Sequence, residues 1–182
     1  MTQPIKSWTK SFSHVASLLL ESWREWELRA DGNQLSLAVP TQLDVTHMSY
    51  KDQLMHGTGS FKLKNWPYSD RDYTKLVAGF DYIQPVLDYA SSQGWVVCRP
   101  MLRCLPPKSC LSYHRDDATM RFHIPLDTTW QAFFVVQDQV HRMPEVGTLY
   151  SLTTNVLHTA VNANLNKPRI HFTFTAYARE SK

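Results

Sequence analysis

Apolar positions along this chain recur with two different periods, and the change falls near Gly94. Between Lys10 and Arg29, Phe12, Val15, Leu19, Trp23 and Trp26 return every three or four residues, with Leu18 beside them. That spacing predicts a helix with one apolar face, ended by Gly32-Asn33. A second helix is expected over Asp81 to Gln93, with Ile83, Val86, Leu87 and Ala90 inward and Gly94 as its stop. Residues 33–80 signal more weakly: Leu35 to Val39 is strand-like, and His56-Gly57-Thr58-Gly59 reads as a polar loop.

After Gly94 the texture is that of strands. Trp95–Leu105, Met120–Leu126, Trp130–Val136, Thr148–Leu152, Leu157–Val161 and Ile170–Tyr177 are rich in β-branched and aromatic residues, with turn signals between them. No segment repeats another. Helices followed by a run of short strands predict a mainly β fold with flanking helices, a sandwich or barrel. One domain is expected over 1–182, helical and irregular over 1–94 and β over 95–178.

Two strands carry an alternation that stability alone does not require. Met120, Phe122, Ile124 and Leu126 take one face, leaving Arg121 and His123 together on the other. If that second face lines a barrel interior, both side chains need a polar or anionic ligand, because an unpaired buried charge is costly. Near the C-terminus Ile170, Phe172, Phe174 and Ala176 alternate with Arg169, His171, Thr173, Thr175 and Tyr177. The planar fork of Arg169 suits a carboxylate.

Composition narrows the possibilities without choosing among them. With 43% hydrophobic and 19% charged residues the chain is globular, which excludes disorder, collagen-like repeats and a coiled coil. The net charge of +3 comes from scattered basic residues, and Lys62, Lys64, Arg71 and Lys75 form only a thin basic stripe, so no nucleic-acid partner is expected. The most apolar stretch, Val15 to Leu20, is far short of a membrane span, and the start carries no secretion signal. A cytoplasmic protein is the expectation. Cys98, Cys104 and Cys110 form no C-x-x-C pair, so reduced thiols are expected.

The chemistry-bearing pattern is His114-Arg115-Asp116 with His158, 42 residues after Asp116. On a strand, residues i and i+2 share a face about 7 Å apart. Two histidines and one carboxylate on one side of a metal are the donor set of non-haem Fe(II) oxygenases. Asp117, of opposite parity, is the weaker candidate. A His–Asp hydrogen bond with an unrelated buried histidine is the structural alternative.

From Arg103 to Tyr177 the sequence resembles the aspartyl/asparaginyl β-hydroxylase branch of the Fe(II)- and 2-oxoglutarate-dependent dioxygenases. The resemblance runs through Leu105-Pro106-Pro107, His114-Arg115-Asp116, Arg121-Phe122-His123-Ile124-Pro125-Leu126, Gly147-Thr148-Leu149-Tyr150, His158-Thr159-Ala160-Val161-Asn162 and Arg169-Ile170-His171-Phe172. It implies a double-stranded β-helix core (jelly-roll, cupin-like) and a catalytic metal triad of His114, Asp116 and His158. Some animal members lack the carboxylate; Asp116 completes the triad here, as in the bacterial proline hydroxylases of the branch. The resemblance further implies that Arg169 grips the distal carboxylate of 2-oxoglutarate. Arg121 and His123 then match an R-x-H element near the cosubstrate's other end, with Asn162 in a supporting role.

Fe(II), 2-oxoglutarate and O2 follow as cofactor and cosubstrates. The reaction implied is hydroxylation of an unactivated C–H of an amino acid, amino-acid derivative or peptidyl residue. The chain's few insertions favour a small substrate. The competing reading is a non-catalytic or differently metallated cupin-like barrel, which does not predict an arginine eleven residues past the last ligand. His141 and His171 are expected to be structural or at the surface. His47, His56, Trp66 and Tyr68 lie where a substrate-binding wall is plausible, and a hydroxyl of Ser109 or Ser112, or Arg103, is a further cosubstrate candidate.

Overall fold

A computed structural model of the chain describes residues 5–27, 33–58 and 67–179. Arg29, Gly32, Gly59, Lys62, Lys64 and Trp66, named above, lie outside the described residues. The elements run β1 (Ile5–Ser11), α1 (Ser13–Glu27), β2 (Gln34–Ser36), β3 (Ala38–Pro40), α2 (Tyr50–Met55), β4 (Tyr73–Leu76) and α3 (Gln84–Ser92). Then come β5 (Trp95–Leu105), β6 (Ser109–Cys110), β7 (Met120–Asp127), β8 (Ala132–Val136), β9 (Gln139–His141), β10 (Thr148–Thr153), β11 (His158–Asn162) and β12 (Arg169–Ala178).

The last eight strands pair as nested antiparallel couples: β5 with β12, β6 with β11, β7 with β10, and β8 with β9. That nesting is a jelly-roll. It yields a six-stranded sheet ordered β1-β10-β7-β12-β5-β2 and a four-stranded sheet ordered β6-β11-β8-β9. A small apolar cluster joins the sheets, with Leu105, Tyr150 and Leu152 from the larger and Phe134, Val136 and Ala160 from the smaller.

Alternation decides what each face of the larger sheet does. Phe122, Ile124, Phe172 and Phe174 point outward and share one core with Phe12, Ala16, Leu19 and Trp23 at α1 and with Val86, Leu87 and Ala90 of α3. Phe122 lies fully buried at its centre. Its ring stacks on Phe174 (centroids 4.9 Å apart) and meets Trp8 and Trp95 at 5.8 and 6.1 Å.

The other face turns into the barrel. Along β12, His171 stands opposite Arg103 of β5, Thr173 opposite His123 of β7, and Thr175 opposite Arg121. His123 and His171 are almost wholly buried, their Nδ1 atoms 3.4 Å apart. Burial first, then the positive charge of Arg169 and, for His123, the neighbouring His171, hold both imidazoles well below the ordinary histidine range. Both are neutral at pH 7.

Several boundaries differ from expectation for local reasons. The Leu35–Val39 stretch is two strands, because Leu37 donates its N–H to Pro100 and accepts from Val77, linking different partners. β1 is an edge strand with mostly exposed side chains, so no alternation marks it; its backbone pairing to β10 defines it. The strand expected from Trp130 begins at Ala132, and Trp130 instead sits exposed beside the Arg142 guanidinium. The second helix opens with a 3-10 turn at Asp81–Ile83 before α3. Ahead of β10, Gly147 adopts φ +78°, and a Cβ there would sit 2.7 Å from the Ser13 Cα. No helix among the described residues is long and apolar enough to cross a membrane.

Two outcomes follow from this packing. Phe122→Ala is expected to cost about 3–5 kcal/mol, as other buried Phe truncations do, in denaturant unfolding. Stability should also fall as pH drops below about 6.5, where the unfolded chain takes up protons that the buried His123–His171 pair refuses. Each such histidine contributes up to about 1.4 kcal/mol per pH unit, so His171→Leu should flatten the slope measured between pH 7 and 5. An unchanged slope would show that His171 is not held neutral.

Candidate metal centre and its cavities

His114 lies in the connection between β6 and β7, outside any regular strand. One isolated antiparallel bridge joins it to His158, the first residue of β11, through backbone hydrogen bonds of 3.1 and 3.0 Å in the two directions. Asp116 is tied separately, its N–H donating to the Thr154 carbonyl at 2.8 Å. Strand alternation was the expected reason for His114 and Asp116 to share a side. The operative reason is this pair of backbone anchors on the chain leading into β11.

The anchors bring three donors together. One ligating atom from each of His114, Asp116 and His158 lies within 4.8 Å of the other two, and His114 Nε2 is 3.6 Å from Asp116 Oδ1. Each histidine donates its Nδ1–H to a carbonyl two residues earlier, His114 to Ser112 at 2.7 Å and His158 to Val156 at 2.9 Å. A carbonyl only accepts, so both rings carry the proton on Nδ1 and keep the Nε2 lone pair for a metal. Burial lowers the pKa of His158 below the ordinary histidine value, which also favours the neutral, ligating form. The second Asp116 oxygen lies 2.7 Å from Arg121 Nη2, an ion pair that holds the carboxylate's orientation.

Behind the triad lies a small inner cavity, bounded by His114, His158, Arg103, His123, Thr173 and Arg169. Arg169 is 7% exposed, with its guanidinium carbon 4.7 Å above the Phe134 ring. Its Nε and Nη1 are buried without a hydrogen-bond partner among the described residues. Burial pushes its pKa down to about 10, still far enough above neutrality to leave it charged. In front lies an open cleft of about 720 Å³, reached by Asp116, Arg121, Arg103, Asp117 and Asp70.

Other candidates fall to different places. His171 is interior, beside His123, and His141 lies half-buried on β9. His47 is exposed, while His56 Nδ1 meets the Tyr73 hydroxyl at 3.1 Å. Asp117 is exposed on the cleft wall, where Tyr68 also stands. Asn162 donates to the carbonyls of Leu105, Pro106 and Lys167, bracing loops and touching none of the triad. Ser109 caps Pro106, and Ser112 contributes a carbonyl to His114, where its hydroxyl had been the candidate. No disulfide joins the three cysteines; burial raises the Cys98 thiol to about 12, which makes it inert. The carbonyls of Ser112, Val156 and Thr154 carry no mark in a sequence, since any residue supplies one.

Known structures share this fold. The chain aligns over 97% of its length with 84% of a Trichoplax adhaerens prolyl hydroxylase bound to a hypoxia-inducible-factor peptide (TM-score 0.56, 12% identity). It aligns over 98% of both chains with a viral collagen prolyl hydroxylase from Paramecium bursaria Chlorella virus-1 in complex with 2-oxoglutarate (TM-score 0.54, 10% identity). With an oxidoreductase of the 2OG-Fe(II) oxygenase family from Burkholderia pseudomallei the match spans only 64% of that chain and 59% of this one (TM-score 0.47, 16% identity). No curated protein matches the sequence. Residues 6–178 match the family described as aspartyl/asparaginyl beta-hydroxylase. With that match covering nearly the whole chain, the protein belongs to the aspartyl/asparaginyl β-hydroxylase family.

Proposed function

We propose that this protein is an Fe(II)- and 2-oxoglutarate-dependent dioxygenase that hydroxylates an unactivated C–H bond of an amino acid, an amino-acid derivative or a peptidyl residue. One observation carries the reading. Two histidines of a His-Asp-His donor set line the same inner cavity as a buried guanidinium with unpartnered nitrogens.

The residues present fit both groups. His114 and His158 offer neutral Nε2 donors and Asp116 an anionic oxygen, the three-ligand set that leaves positions open on iron(II). Arg169 supplies the cation that a distal carboxylate would complete, and Phe134 beneath it keeps water away. Arg121 steadies Asp116, and His123 borders the same cavity as a neutral imidazole. Bound iron(II) and 2-oxoglutarate would supply oxidative decarboxylation, giving succinate and CO2 while one oxygen atom of O2 enters the substrate C–H bond. The chain's share is geometry: ligands positioned in advance, a cation for the cosubstrate, and an apolar lining of Leu152, Phe134 and Ala160 that limits water. A zinc or non-catalytic barrel would use the same histidines, but nothing in it calls for the Arg169 charge at the cavity floor.

Anaerobic addition of Fe(II) and then 2-oxoglutarate should produce a weak visible charge-transfer band from a chelated keto acid. His114→Ala and His158→Ala should abolish that band while far-ultraviolet circular dichroism stays unchanged. Bound iron without a band in the wild type would remove the dioxygenase reading and leave a metal-binding barrel. Arg169→Ala should keep iron and raise the 2-oxoglutarate concentration needed for half the band about 10- to 100-fold, the loss expected for a buried charge-assisted pair. Wild-type affinity in that variant would show that Arg169 does not hold the cosubstrate.

A further inference from the structure

One interior cation has no task in that chemistry. Arg121 is neutralised by Asp116, and Arg169 is assigned to the cosubstrate. Arg103 remains. It projects from β5 opposite His171, on the inward face, and borders both the inner cavity and the outer cleft. Its Nε is buried without a hydrogen-bond partner, and its Nη2 reaches only the Met101 sulfur at 3.4 Å, a weak acceptor. None of the ion pairs among the described residues includes it.

The surroundings do not compensate its charge. Burial disfavours the guanidinium most, followed by the nearby Arg121, with Asp116 acting in the opposite direction. Arginine nevertheless stays protonated in proteins. Iron(II) and the 2-oxoglutarate dianion carry opposite and equal charge, so their arrival leaves the surplus where it was. A cation held this way is costly until an anion completes it.

The cleft leading to Arg103 favours such an anion. Besides Arg121, paired with Asp116, its other interior arginine, Arg99, is already satisfied by Asp70 at 3.2 Å and the Gly57 carbonyl at 2.6 Å. Arg71, stacked over Tyr177 at 3.9 Å, and the exposed Arg115 add positive potential at the mouth, against the one exposed carboxylate of Asp117.

We propose that Arg103 pairs with a carboxylate of the primary substrate, so that the enzyme acts on carboxylate-bearing molecules and rejects their amides. The proposal rests on the dioxygenase reading and assigns the substrate class for that site. Two sources would supply the group: the main-chain carboxylate of a free amino acid, or the side chain of a peptidyl Asp or Glu. The fork of Arg103 takes either one in bidentate fashion.

The experiment uses the anaerobic protein–Fe(II)–2-oxoglutarate complex and follows changes in its visible band on adding probes. One arm holds the free amino acids against their carboxamides. The other holds N-acetyl-aspartyl and N-acetyl-glutamyl amides against the corresponding asparagine and glutamine compounds. At least one acid should shift the band at roughly tenfold or more lower concentration than its amide, and the responding arm identifies the source. Arg103→Met should shrink that preference to below about threefold, with 2-oxoglutarate affinity within about twofold of wild type. Arg103→Lys, which keeps the charge and loses the fork, should fall between them and serves if the Met variant does not fold.

Equal response to acids and amides in the wild type overturns the proposal, as does silence from every probe on a complex that binds 2-oxoglutarate. A variant that loses 2-oxoglutarate affinity but keeps the acid preference overturns it too, and moves Arg103 to the cosubstrate. Failure of 2-oxoglutarate to bind the wild type is a separate result, against the dioxygenase reading itself.

Discussion

The segregation of faces on the six-stranded sheet is the constraint on which everything else rests. A barrel ordinarily spends its interior on apolar side chains. Here the outward face does that work, with Phe122, Ile124, Phe172 and Phe174 packed beneath α1 and α3. The helices therefore serve the site although they contribute no residue to it. They give the sheet an apolar partner outside, and so free its inner face to carry arginines, histidines and threonines. Beside the inner cavity a small cluster around Phe134 and Leu152 supplies apolar filling between the two sheets.

That arrangement has an energetic consequence. The interior holds Arg103, Arg121 and Arg169 against one carboxylate, Asp116, and only the side towards the open cleft is screened by solvent. Two further imidazoles stand among them and stay neutral, which prevents the repulsion from growing. Such an interior is a stability cost that the apolar core outside the sheet has to offset. Ligands that bring negative charge should therefore stabilise the folded chain as well as react in it.

Much of this was legible in residue order, for a reason that also sets its limit. Alternation in Met120–Leu126 and Ile170–Tyr177 separates the two faces of β7 and β12 directly, so Arg121, His123 and Arg169 could be read as interior groups. The helices and most core strands announce themselves by the same periodicities. Where function depends on backbone, the sequence is silent. The bridge between His114 and His158, the Thr154 carbonyl that holds Asp116 and the carbonyls that set both tautomers are available from any residue type. Edge strand β1 and the short β4, β6 and β9 escape for a related reason. Pairing defines them: the side chains of β1, β6 and β9 show little burial contrast, and β4 buries only Tyr73.

Arg121 shows how closely packing and site are linked. Its side chain orients Asp116 at 2.7 Å, while its neighbour Phe122 points the opposite way into the centre of the outer core. A strand cannot shift one of these without the other, because one residue of slippage would exchange the faces entirely. The position of the Asp116 carboxylate is thus tied to aromatic stacking on the far side of the sheet. His114 and His158 add a second restraint, since the backbone bridge between them holds the two imidazoles together. A donor set restrained in both ways loses little freedom on binding, and preorganisation of that kind raises affinity without any added contact.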